Sequence, residues 1–186
     1  MSKKKKSGVA VFLYCIIALS AITAAISLSL YYGGCSTSPT LLWVGIVSFM
    51  IMYHLWLRII MGNVSKLVTI DLHNRWFTEM PFEKKLYRLL RVKRWKKKAL
   101  TYNPEAFSLK NHSLEEIADT MCKSELDHWI NEVISLTAVL FSLIWGKAWL
   151  FGLTSLAAMA FDAQFIIIQR YNRPRILRIL KKSSTN

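Results

Sequence analysis

Apolar positions along this chain come in long unbroken runs. "VAVFLYCIIALSAITAAISLSLYY" (residues 9–32) holds no charged residue, and "PTLLWVGIVSFMIMYHLWLRIIMG" (39–62) holds Arg58 alone. A helix that crosses a bilayer core needs about 20 such residues, so both runs predict spanning helices. The first is too long for the apolar core of a signal peptide and is expected to stay as an anchor. Two further runs, 132–146 and 148–169, are separated only by Lys147. The third is short and the fourth carries Asp162 and Gln164. They read as a hairpin of two spans or as a re-entrant pair, with four spans the preferred reading.

The pattern changes over residues 63–131. "PFEKKLYRLLRVKRWKKK" (81–98) opens on a proline suited to a first helical turn. Phe82, Leu86, Leu89, Leu90 and Val92 fall in one helical stripe while Arg88, Arg91 and Arg94 point elsewhere. That pattern predicts an amphipathic basic helix on a membrane surface. Trp95 falls off the stripe and reads equally as an interfacial anchor or as part of a site. Ser113 and Glu116 form a capping-box sequence at the head of a second helix through "IADTMCKSELDHWINE". The fold class expected is all-α: a polytopic membrane protein with about four transmembrane helices and cytoplasmic amphipathic helices. It divides into 1–62 (two spans after a basic tail), 63–130 (a basic interfacial segment) and 131–186 (a membrane hairpin and C-terminal tail).

Charge sets the orientation. The 186 residues are 53% hydrophobic with a formal net charge of +14. Lys3, Lys4, Lys5 and Lys6 precede the first run, 13 Lys and Arg lie between Gly62 and Glu132, and six follow Gln169. Lys and Arg collect in cytoplasmic loops, so both termini and the central segment are expected on the cytoplasmic side of the cell membrane. Positive charge facing anionic headgroups accounts for the basic balance without nucleic acid. Cys15, Cys35 and Cys122 form neither a disulfide framework nor a CxxC metal motif. No metal or cofactor is expected.

The chemistry concentrates in two places. Glu125 and His128 are three apart and share a helical face, with Trp129 and Glu132 continuing it. A carboxylate beside an imidazole orients the ring and raises its basicity, which suits a general base; the same spacing also describes a surface ion pair. Among the other histidines, His54 with Arg58 sits mid-span, and "HNRWFTE" from His73 lacks the HxxxxD spacing of soluble-domain glycerolipid acyltransferases. Asp71 and His73 rank low as lining for one cavity. The second place is "FIIIQRYNRPR" (165–175). A membrane stop signal needs Arg and Lys, not Gln169, Tyr171 and Asn172 set among Arg170, Arg173 and Arg175.

"SELDHWI" (124–130), a hydrophobic hairpin and "QRYNRPRILRILKK" (169–182) together resemble the glycosyl-4,4'-diaponeurosporenoate acyltransferase family of small bacterial membrane proteins. The 81–98 segment also resembles the family's Phe-Glu-Lys then Trp-Lys pattern. The resemblance covers roughly 77–182 with gaps. Glu125, His128 and Trp129 match one motif, Trp95 and Lys96 a second, and Gln169 to Arg175 the third. The chain departs from the family where Asn-x-Pro is usual and Asp162, Ala163, Gln164 stand here, and again at Thr120 and Met121.

The resemblance implies O-acyl transfer in carotenoid biosynthesis, from an activated fatty acid to the primary hydroxyl of a lipid-linked glucose. On the residues themselves, His128 would be the base, held by Glu125. Arg170, Tyr171 or Asn172 would supply oxyanion donors. An acyl-CoA or acyl carrier protein donor would bring its phosphates to Arg173, Arg175 and the basic helix. Trp95, Lys96, Trp129 and Gln169 complete the expected substrate-binding set. The partners are then membrane lipid, a glycosylated lipid acceptor and the acyl donor. The alternative class is a non-enzymatic membrane scaffold or lipid-binding accessory protein.

Overall fold

The computed structural model describes residues 8–64, 67–72, 74–99 and 104–183. Every regular element among them is helical: α1 (Gly8–Tyr32), α2 (Pro39–Val64), α3 (Glu83–Leu89), α4 (Val92–Trp95), α5 (Leu114–Ala138), α6 (Ser142–Trp145) and α7 (Ala148–Ser183). Short 3-10 turns lie at Arg75–Phe77, Lys96–Lys98, Pro104–Phe107 and Val139–Phe141. Four helical stretches are long and apolar enough to cross a membrane: Val11–Tyr32, Pro39–Val64, Leu114–Trp145 and Ala148–Ser183. The all-α, four-helix expectation therefore holds, and these helices fit a multi-pass membrane protein.

Two boundaries differ from the sequence reading. The helix carrying "SELDHWI" runs on into the first half of the third run as one element, α5, because no Pro or Gly interrupts residues 114–138. Its start is set by the capping box, with Ser113 N–H donating to Glu116 Oε2 (2.8 Å) and Glu116 N–H to Ser113 Oγ (3.2 Å). The fourth run likewise does not stop at Gln169. α7 continues through the "QRYNRPR" motif to Ser183 with Pro174 inside it, so the motif is a helical face and not a tail.

The chain forms two compact units. One comprises Met1–Met61 and Asn131–Met159, the other Gly62–Ile130 and Ala160–Asn186. The first unit packs an apolar core, with His54, Asn131, Glu132 and Ser135 also buried. Leu42, Ile46, Met50, Ala138, Leu150 and Phe151 form its buried core, flanked by Phe49, Tyr53, Phe141 and Trp145. Gly45 lets α2 approach α1 closely: a Cβ there would meet Leu28 Cδ2 at 2.8 Å. Small residues serve this purpose where membrane helices pack. Val11, Phe12, Leu19, Ile22, Ile26 and Leu30 of α1 are exposed, as a surface covered by hydrocarbon requires.

The second unit packs polar groups inside. The buried face of α7 here is Asp162, Ile166, Gln169 and Arg173, at helical spacing. The corresponding face of α5 is Ile117, Ala118, Met121, Cys122 and Glu125.

The 81–98 segment is not the single amphipathic helix expected. α3 and α4 are separated at Leu90 and Arg91, where Arg91 takes the left-handed φ of 51°. The buried side chains are Glu83, Tyr87 and Val92, while Phe82, Leu89 and Leu90 are exposed. The predicted stripe fails because Glu83 turns inward to the partly buried Arg170, which an apolar periodicity does not count.

Candidate functional site

All the candidate residues lie in the second unit. His128, on α5, is 20% exposed, and its Nδ1 is 2.8 Å from Asp162 Oδ1 on α7. Asp162 is fully buried. The imidazole stacks on the Phe165 ring at 4.7 Å and 9°, one helical turn after Asp162. With Nδ1–H donating to the carboxylate, the free lone pair belongs to Nε2, which has no other hydrogen-bond partner among the described residues. This is the arrangement that gives a histidine one defined tautomer and one available base.

Glu125 does not hold His128. It is 0% exposed and is clamped by two guanidiniums. Arg170 Nη1 donates to its Oε1 (2.6 Å), and Arg173 Nη1 donates to its Oε2. The remaining donors of Arg170 are also used, by Glu83 Oε1 (2.7 Å), the Trp76 carbonyl (3.0 Å) and the Thr78 carbonyl (2.9 Å). Arg173 is 1% exposed, donates to the Phe77 carbonyl (2.6 Å) and stacks over the Phe77 ring at 5.1 Å. Two carboxylates and two guanidiniums thus balance in charge and tie α3, α5, α7 and residues 76–78 together. Buried charges persist when paired and hydrogen-bonded in this way.

These contacts differ from three expectations drawn from the sequence. The carboxylate against the imidazole is Asp162, because the Arg170 and Arg173 guanidiniums compete for Glu125 more strongly than a neighbouring ring does. Arg170 is not free to stabilise an oxyanion, since its donors are saturated by protein oxygens. Arg173 is too buried to meet a donor's phosphates. Asp162 is the partner of His128 that sequence reasoning missed. It stands in the sequence as a charge inside an apolar run, and an ionisable group there is a functional candidate by default.

Lys96, Asn172 and Arg175 of the expected set gather around Tyr171. Lys96 Nζ donates to Asn172 Oδ1 (2.6 Å) and lies 4.7 Å from the Tyr171 ring centre; its partial burial lowers its pKa. The Arg175 guanidinium lies over the same ring at 3.8 Å, and Tyr87 meets it edge-on at 5.4 Å. Burial, then the hydrogen bond to Glu83 (2.7 Å), raises the Tyr87 pKa. Trp95 Nε1 donates to the Leu90 carbonyl (2.9 Å), which closes the left-handed turn at Arg91. Gln169 Nε2 donates to Ser124 Oγ (3.2 Å).

Tyr171 and Asn172 stand nine and ten positions beyond Asp162 on α7. At a rise of about 1.5 Å per residue, that is roughly 14 Å along the helix. They are therefore distant from the imidazole as oxyanion donors. Trp129, adjacent to His128 in sequence, meets Trp76 edge-on at 5.9 Å, and both rings are exposed.

Asp71 lines a cavity of about 280 Å³ with Trp76, Phe77 and Leu126, and His73 lies outside the described residues.

Comparison with known proteins agrees with this reading of the motifs. No curated protein and no solved structure matches the chain. The family model described as glycosyl-4,4'-diaponeurosporenoate acyltransferase matches residues 73–182, a stretch that contains His128, Asp162, the buried ion network and the Tyr171 cluster. With more than half of its length matched, the chain belongs to the glycosyl-4,4'-diaponeurosporenoate acyltransferase family.

Proposed function

We propose that this protein is an integral membrane O-acyltransferase that moves a fatty acyl chain onto a sugar hydroxyl of a lipid-linked glycoside, a glycosyl carotenoid or a related glycolipid. The observation that carries the reading is the His128 Nδ1 to Asp162 Oδ1 contact of 2.8 Å, within the segment shared with the family.

Asp162 holds the Nδ1–H and stabilises the imidazolium that forms when Nε2 accepts a proton. The sugar hydroxyl gives that proton to Nε2 as its oxygen bonds to the acyl carbonyl carbon. The bond from carbon to the leaving group then breaks, and the proton passes from Nε2 to the leaving atom. Phe165 fixes the plane of the ring. The exposed Trp76 and Trp129 rings offer apolar faces to the sugar or to the lipid that carries it. Glu125, Arg170 and Arg173 act as positioning residues: they hold α5 against α7 and so set the His128–Asp162 distance. The cytoplasmic placement of the central segment rests on the Lys and Arg distribution.

Purified protein supplied with an activated fatty acid and a glucosyl lipid tests the reading. Acylated glycolipid should form with wild type and not with His128→Ala. Equal product from both would take catalysis away from this histidine, and no product from either would favour the scaffold alternative.

A further inference from the structure

Away from His128, the second unit carries a cavity of about 580 Å³. Small-molecule sites commonly measure about 300–1,000 Å³. The wall of this one is strongly cationic. Arg88, Arg91, Lys93, Arg94, Arg175 and Arg178 line it. Glu79 lines it too, but it pairs with Lys84 at 3.7 Å, which leaves the other six cations without a carboxylate among the lining residues. Tyr171 also lines it, with the Arg175 guanidinium already stacked on its ring.

The backbone is shaped to put one of these cations there. Arg91 occupies the left-handed φ of 51°, which glycine would adopt with less strain. The chain nevertheless places an arginine at this position, between two short basic helices, and its side chain reaches the cavity.

We propose that this cavity binds the clustered phosphates of a nucleotide thioester of the acyl-CoA class, and so fixes the chemical class of the acyl donor. The inference rests on the acyl-transfer reading above and deepens it. Guanidiniums recognise phosphate oxygens through paired, charge-assisted hydrogen bonds, and several phosphates together match six cations. An open cleft of this size admits the phosphate end of a small molecule, whereas a carrier protein would need a broad contact of about 800 Å².

Distance along α7 points the same way. Arg175 stands thirteen positions beyond Asp162. At a rise of about 1.5 Å per residue, the separation along the helix is roughly 20 Å. An acyl phosphate carries its phosphate next to the reacting carbonyl and cannot bridge that separation. A thioester whose phosphates sit at the far end of an extended arm can. In the transfer step the C–O bond forms and the C–S bond then breaks. The electron pair leaves on sulfur, and the proton held by His128 Nε2 passes to the thiolate.

The probe is coenzyme A itself, titrated calorimetrically into full-length protein in a neutral detergent. Saturable binding is expected, weakened tenfold or more in Arg91→Gly and in Arg94→Gln and unchanged in Lys110→Gln, a cation outside the cavity. Arg91→Gly relieves the left-handed strain, so its thermal midpoint should hold or rise while affinity falls; misfolding cannot mimic that combination.

Failure of wild type to bind coenzyme A, or unaltered binding by Arg91→Gly and Arg94→Gln, overturns the proposal. So does a variant-sensitive titration with phosphatidylglycerol in mixed micelles when coenzyme A gives none, because the phosphates recognised would then be lipid headgroups. The two readings separate cleanly. Turnover with an acyl phosphate and no coenzyme A binding sinks the donor site alone. Coenzyme A binding with no turnover from an acyl-CoA thioester sinks the acyltransferase reading and the donor role with it, and leaves only the phosphate-binding cleft.

Discussion

His128 Nδ1 and Asp162 Oδ1 sit 2.8 Å apart across two helices, and one turn further along α7 the Phe165 ring lies flat against the same imidazole. The contact gives the ring one orientation, one tautomer and one available nitrogen. His128→Ala should therefore lose nearly all acyl transfer, and His128→Gln should lose as much, since glutamine hydrogen-bonds but does not accept the proton. General-base contributions run about 10²–10⁴-fold. Rates of acylated glycolipid formation by purified protein decide the point, and a variant within a few fold of wild type would refute it.

Asp162→Asn should reduce kcat by less than the loss of His128, because the amide still meets Nδ1 but no longer stabilises the imidazolium. Its thermal midpoint should stay near that of wild type. An Asp162→Asn protein with unchanged kcat would leave the aspartate without a role in the chemistry.

Glu125 should behave in the opposite way. It is fully buried between Arg170 and Arg173, so Glu125→Gln leaves two guanidiniums short of charge. Breaking a buried pair of this kind costs about 3–5 kcal/mol. The expected result is a lowered thermal midpoint, with activity falling in proportion to folded protein. Adding Arg173→Met should recover part of the loss, as coupled partners do in a double-mutant cycle. A stable but inactive Glu125→Gln would argue that this carboxylate acts directly in the reaction.

Trp129 is exposed and packs edge-on against Trp76. If the pair receives the glycolipid, Trp129→Ala should raise KM for the acceptor with little change in kcat and no change in KM for the donor. An effect confined to the donor would move the tryptophans to the other substrate.

The Lys and Arg distribution predicts both termini on the cytoplasmic side. With Cys15 and Cys122 replaced, a membrane-impermeant thiol reagent applied to intact cells should label Cys35, which is exposed. A cysteine placed at position 103 or 184, with Cys35 also replaced, should stay unlabelled. Outside labelling at position 103 would invert the topology and remove the cytoplasmic donor.

Length and apolarity alone were enough to find four helices able to cross a membrane, because hydrocarbon imposes that requirement residue by residue. The capping box at Ser113 was equally legible, since its two hydrogen bonds join residues three apart. The motifs were legible as strings, and His128 stood out by its neighbours. What the strings did not carry was the pairing. Local spacing put Glu125 next to His128, yet Glu125 is bound 45 and 48 positions away, by Arg170 and Arg173. Asp162 takes its place from 34 positions away. Only the tertiary structure decides such competitions: the strength of a buried ionic contact depends on which charges share the desolvated space, and that is set when α5 and α7 pack. The same reason explains the broken 81–98 helix, where Glu83 is buried to meet Arg170 and the apolar stripe gives way to it.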